Sequence, residues 1–75
     1  MNINAKRFEF HLQQLKVLVV DDNAFTRKIV RGLLAAIGVK TVHEAGDGIA
    51  ALQMIRSVSP DVIILDWEMP LLNGP

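Results

Sequence analysis

Three aspartates carry the strongest chemical signal in this chain. Asp21 and Asp22 follow the apolar run Val17-Leu18-Val19-Val20, and Asp66 follows Val62-Ile63-Ile64-Leu65. If the two runs are neighbouring strands, the three carboxylates converge at one end of a sheet. Such a group repels itself and raises its members' pKa values unless a cation neutralises it. A hard divalent ion answers that need, because Mg²⁺ takes oxygen ligands and combines waters with one or two carboxylates and a phosphate oxygen. A carboxylate is also a nucleophile toward a phosphoryl group, in a transfer that depends mainly on positioning and charge neutralisation. Each piece alone has a plainer reading: an acidic pair after a strand caps a helix, and one aspartate ends a strand in a turn. The conjunction, with Met69-Pro70 and Asn73-Gly74 following Asp66, is what points to a site.

The elements that must position these residues follow from periodicity. Both apolar runs are short, continuous and rich in β-branched residues, as strands covered on both faces are. From Ala24 the period becomes helical: Phe25, Ile29, Leu33, Ala36 and Ile37 line one face, with Phe25 read as core, while Arg27, Lys28 and Arg31 point elsewhere as a solvated face or docking surface. Asp22 or Asn23 can cap this helix and Gly38 can end it. Gly32 inside it implies close packing. Thr41-Val42-His43-Glu44-Ala45 is a second, more polar strand, as an edge strand would be. Asp47 after Gly46 can cap a second helix with Ala51, Leu52, Ile55 and Val58 on one face, closed by Ser59-Pro60. Residues 1–15 fit a helical stripe and a strand alternation equally well and are treated as an extension. The order strand, helix, strand, helix, strand predicts right-handed βαβ units, an α/β fold, and ligands gathered outside the carboxyl ends of the strands.

The bulk numbers fit one small domain. In 75 residues, 51% are hydrophobic and eight basic residues balance eight acidic ones, so neither disorder nor a field suited to nucleic acid is implied. A domain of this size buries only about 60% of its unfolded surface, so its core is marginal. There is no cysteine, which excludes disulfides and thiolate-bound zinc. His11 and His43 lack a second ligand at metal spacing and read as surface residues. Polar residues from Glu9 to Gln14 interrupt any leader-like apolar core, and no stretch is long enough to span a membrane, so a soluble cytoplasmic protein is expected.

At this point the sequence resembles the receiver domains of two-component response regulators, most closely the chemotaxis type. The matching residues are Val17 to Asp22, Ala45 with Asp47-Gly48, Pro60-Asp61, and Asp66-Trp67-Glu68-Met69-Pro70 followed by Asn73-Gly74. The resemblance implies a partial flavodoxin-like fold over residues 16–75, with three parallel strands in order 2-1-3 and two helices, after an extension at 1–15. It implies Asp66 as phosphoacceptor, Asp22 as a direct Mg²⁺ ligand, Asp21 as a ligand through water, and Glu68 as a ligand through its backbone carbonyl. Its partner would be a histidine kinase or phosphotransfer domain that meets the first helix, and Trp67 would be a fluorescence reporter. The family more often has aspartate where Asn73 stands.

The same resemblance implies a domain cut short. The family's fourth and fifth strands supply a Ser or Thr hydroxyl and a Lys that contact the phosphoryl group, and no residue here matches either. Impaired switching is therefore expected, from a signalling module and not an enzyme. Val62 to Leu65 would be an exposed apolar edge, which predicts a homodimer with two such edges paired antiparallel. The alternatives are an interaction protein that dimerises or competes for a kinase without being phosphorylated and, less favoured for want of a general base or pocket, a Mg²⁺-dependent hydrolase.

Overall fold

A computed structural model describes residues 3–66. Its elements are α1 (Ile3–Gln14), β1 (Lys16–Val20), α2 (Ala24–Ala36), β2 (Thr41–Ala45), α3 (Gly48–Val58) and β3 (Val62–Leu65). The strands form one parallel sheet in the order β2-β1-β3, as the resemblance implies. Val17 to Val20 of β1 face Val42 to Ala45 on one side and Val62 to Leu65 on the other. The expected count of two helices holds for the crossovers. The ambiguous segment before β1 is a third helix, α1.

Alternation along β1 divides the core into two layers. Val17 and Val19 pack with Val39, Val30, Leu34, Val42 and Ile64 on the α2 side, where Leu12 and Leu15 also reach in. Leu18 and Val20 pack with Ala45, Ala51, Ala50 and Met54 on the α3 side. These four β1 side chains, Val17 to Val20, are at most 2% exposed. A fully apolar strand suits this position because neither of its faces meets water.

The helix boundaries follow local chemistry. Asn23, not Asp22, caps α2: its Oδ1 accepts from the backbone N–H groups of Phe25 (2.9 Å) and Thr26 (3.1 Å). At the far end Gly38 adopts φ 109°, a conformation that favours glycine. There the Gly38 N–H donates to the Ala35 carbonyl (3.1 Å) and the Val39 N–H to the Leu34 carbonyl (3.0 Å), while Val39 and Leu34 share one apolar cluster. This is the Schellman arrangement with its accompanying hydrophobic contact. Asp47 caps α3 through Oδ1 and the Ala50 N–H (2.7 Å). At the base of the sheet Lys16 donates its N–H to Asp61 Oδ2 (2.9 Å) and its Nζ to the Val58 carbonyl (2.9 Å), and the Asp61 N–H returns a bond to the Lys16 carbonyl (2.8 Å). These bonds fix the turn into β3.

Three expectations about the helices are corrected. The apolar stripe of α2 faces outward: Phe25 is 71% exposed and Leu33 64%, with Ile29, Ala36 and Ile37 also exposed, while Val30 and Leu34 meet the sheet. The helical period is right, but α2 carries two apolar faces, and the sheet covers the one formed by Val30 and Leu34. On α3, Ala51 and Val58 turn inward but Leu52 and Ile55 are exposed, with Met54 in the core instead. Gly32 is not a close-packing position, since a Cβ there would meet nothing within 4 Å. Glycine therefore only costs helix stability at this site. Gly32→Ala is expected to stabilise the fold by about 1 kcal/mol, read as a rise in the urea midpoint at unchanged m value.

Candidate functional site: an acidic cluster at the strand ends

Strand register brings the predicted acids together. The Asp21 N–H donates to the Ala45 carbonyl (3.1 Å) and the Asp66 N–H to the Val20 carbonyl (2.9 Å), so β1 and β3 leave the sheet side by side. One carboxylate oxygen each from Asp21, Asp22 and Asp66 lies within 4.8 Å of the others. Asp21 is 9% exposed, Asp66 half-buried and Asp22 exposed. The competing role of the acidic pair as a helix cap is taken by Asn23. Asp21 Oδ1 instead accepts from the Asn23 N–H (2.9 Å), which orients that carboxylate.

The donor set fits a hard divalent cation. All three side chains offer carboxylate oxygens, the ligand type that a hard ion such as Mg²⁺ takes, and one from each lies within 4.8 Å of the others. Glu68, predicted to add its backbone carbonyl, lies outside the described residues, as do Trp67, Met69, Pro70, Asn73 and Gly74. His11 stands apart on α1, its ring edge-on to Phe10 at 6.0 Å between centroids.

Arginine contacts beside this cluster escaped the sequence reading. Arg27 Nε donates to Glu44 Oε1 (3.0 Å), Arg31 Nη1 to Glu44 Oε2 (3.0 Å), and Arg27 Nη1 to the Asp21 backbone carbonyl (2.6 Å). Arg27 is thus no part of a solvated face; its side chain is 18% exposed. The signal was available in two arginines one helical turn apart, at i and i+4, and in a glutamate two residues after Val42, on the same face of β2. Hydrogen bonds from Arg31 and then Arg27 hold the Glu44 carboxyl below its ordinary value of 4.5.

The match to the family model named Response regulator receiver domain runs over residues 17–75. The chain belongs to this family. Among curated relatives it is 44% identical over 63 residues to a protein-glutamate methylesterase/protein-glutamine glutaminase of Pyrococcus horikoshii, a match covering 83% of this chain and 17% of that protein. It is 49% identical over 61 residues to protein-glutamate methylesterase/protein-glutamine glutaminase 5 of Myxococcus xanthus, covering 80% and 18%. It is 39% identical over 62 residues to the chemotaxis protein CheY-3 of Vibrio cholerae, covering 83% and 48%. The chain therefore spans less than half the length of each. These matches support the chemotaxis-type receiver resemblance, and the three-stranded sheet in order β2-β1-β3 is part of the flavodoxin-like fold expected of it. None of the described helices is long and apolar enough to cross a membrane.

The Glu44 network makes stability pH-dependent. A carboxyl whose folded pKa lies below its unfolded value stabilises the fold above the unfolded value, and that contribution is lost as pH falls through 4.5 and the lower folded value. In urea melts at pH 7 and pH 3, Glu44→Gln is expected to be less stable than the parent at pH 7 and to differ less from it at pH 3.

Proposed function

We propose that this chain is a phosphoacceptor signalling module of a two-component phosphorelay, in which Asp66 takes a phosphoryl group from a phosphohistidine on a histidine kinase or phosphotransfer domain. The observation that supports it is the convergence of Asp21, Asp22 and Asp66 at the ends of β1 and β3 in a receiver-family chain. In the transfer an Asp66 carboxylate oxygen forms the new O–P bond while the donor's N–P bond breaks and the released imidazole nitrogen takes a proton. Asp21, Asp22 and Asp66 would hold Mg²⁺, with Glu68 adding its backbone carbonyl as the family resemblance implies. A bound Mg²⁺ supplies positive charge that offsets the carboxylates and the phosphoryl oxygens. The chain's own part is positioning. Bonds from Ala45, Asn23 and Arg27 hold Asp21, and the Val20 carbonyl holds the Asp66 backbone. Incubation with Mg²⁺ and an acyl phosphate should add one phosphoryl mass to the intact chain, and the adduct should be absent without Mg²⁺ and in Asp66→Asn. No adduct on the folded parent chain overturns the reading in favour of a non-phosphorylated interaction protein, and sustained turnover of the donor favours a hydrolase.

A second reading concerns association. Val62, Ile63 and Leu65 are 40%, 42% and 46% exposed, on a strand paired along one edge among the described residues. An apolar strand with a free edge recruits another strand. Two copies paired antiparallel through β3 would cover these side chains about a twofold axis. Sedimentation equilibrium of the 75-residue chain is expected to give twice the monomer mass, falling toward one in Ile63→Lys. A folded parent chain that stays monomeric at all concentrations defeats the pairing.

A further inference from the structure

We propose that Arg27 is a positioning residue for the acidic site: its guanidinium, held by Glu44, clamps the Asp21 carbonyl and thereby sets the affinity of the Asp21–Asp22–Asp66 cluster for a divalent cation. This rests on the reading of that cluster as a Mg²⁺ site.

Arg27 joins three elements at one point. From α2 its Nε reaches Glu44 on β2 at 3.0 Å, and its Nη1 reaches the carbonyl of Asp21, just beyond β1, at 2.6 Å. The second bond is charge-assisted and short. Arg31, one turn further along α2, occupies the other Glu44 oxygen at 3.0 Å, so the carboxylate is gripped from both sides. Just after β2, a Cβ at Gly46 would stand 3.4 Å from Arg27 Nη1, at van der Waals contact, so the guanidinium lies close against this turn. The outcome for Asp21 is that its N–H, its carbonyl and its carboxylate are each bonded, to Ala45, Arg27 and the Asn23 N–H respectively. Fixing the main chain on both sides of the Asp21 Cα limits where the carboxylate can sit relative to Asp66. Partners that hydrogen-bond the ligating groups themselves orient them, and their loss commonly costs about 10- to 100-fold in metal affinity. Arg27 acts one step further back, through the Asp21 main chain, which places its effect toward the low end of that range.

Two effects of Arg27 on cation binding have opposite signs, which makes the proposal decidable. As a nearby positive charge Arg27 would repel a cation, so its removal would strengthen binding. As a clamp its removal weakens binding. Glu44 sits directly on the guanidinium and offsets part of the charge that Arg27 and Arg31 carry, which weakens the repulsion and leaves the geometric effect as the larger one in this proposal. A lysine has one ammonium on a flexible stem and lacks the planar fork that makes both bonds at once.

The test is calorimetric titration of the chain with MgCl₂, with a thermal melt of each variant without metal. Arg27→Met is expected to raise the Mg²⁺ Kd about 10-fold, Glu44→Gln to raise it by less, and the double variant to be no weaker than Arg27→Met alone. Arg31→Met removes an equal charge without touching the Asp21 carbonyl and is expected to move Kd by far less than Arg27→Met. If Arg27→Met does not fold, Arg27→Lys serves, with an intermediate loss expected. An unchanged or lowered Kd in the folded variant, with only the melting temperature reduced, overturns the proposal and makes Arg27 a purely structural residue. Absence of Mg²⁺ binding by the folded parent chain overturns the Mg²⁺ site itself, and the inference with it.

Discussion

Backbone pairing along both edges of β1 is the interaction on which the rest of the structure depends. Its residues exchange hydrogen bonds with β2 and with β3 in a shared parallel register, and Val17 to Val20 fill the centre of both core layers. A parallel strand in this position needs apolar side chains in both directions, because helices cross each face of the sheet. The same register decides where the chemistry falls. Since Val20 pairs with Ala45 on one side and Leu65 on the other, the residues that follow Val20 and Leu65 must emerge together, and both are aspartates.

From that geometry the division of labour around the acidic end becomes intelligible. Asn23 takes the cap of α2 and so leaves Asp22 to the cluster, while Asp21 turns its carboxylate back onto the Asn23 N–H. The Arg27–Glu44–Arg31 network ties α2 to β2 across the α2 side of the sheet and reaches the Asp21 carbonyl. An ion network in a half-exposed setting contributes little stability by itself. Its placement against the Asp21 backbone carbonyl is what the proposed positioning role of Arg27 rests on. At the opposite end of the sheet Lys16 and Asp61 exchange bonds, with no comparable gathering of acids among the described residues.

The outward surfaces tell a different story from the core. Phe25, Ile29, Leu33 and Ile37 form an apolar ridge on α2, Leu52 and Ile55 are exposed on α3, and β3 shows Val62, Ile63 and Leu65. The stripe that hydrophobic periodicity selected on α2 is this outward ridge, while the sheet-facing contacts come from Val30 and Leu34. Periodicity measures which side chains share a face; it carries no information about which of two apolar faces a sheet will cover. The same limit applies to α1, whose Phe8 and Phe10 are exposed while its Leu12, and Leu15 just after it, reach the core.

The sequence by itself determined the order of the elements from β1 to β3, the strand order through family resemblance, the caps at Asp47 and Gly38, and the identity of Asp21, Asp22 and Asp66 as the residues that meet. These rest on local rules: apolar runs make covered strands, cap chemistry ends helices, and short parallel crossovers place strand ends on one side. Only the tertiary structure decided that Asn23 is the cap, that Gly32 stands in open space, that the first fifteen residues supply a helix, and that Arg27 leaves the solvated face for Glu44 and Asp21. The Arg27 and Gly32 outcomes turn on what approaches from a distant part of the chain, which spacing along a single helix cannot encode, while the choice between Asp22 and Asn23 and the form of α1 were open between local alternatives.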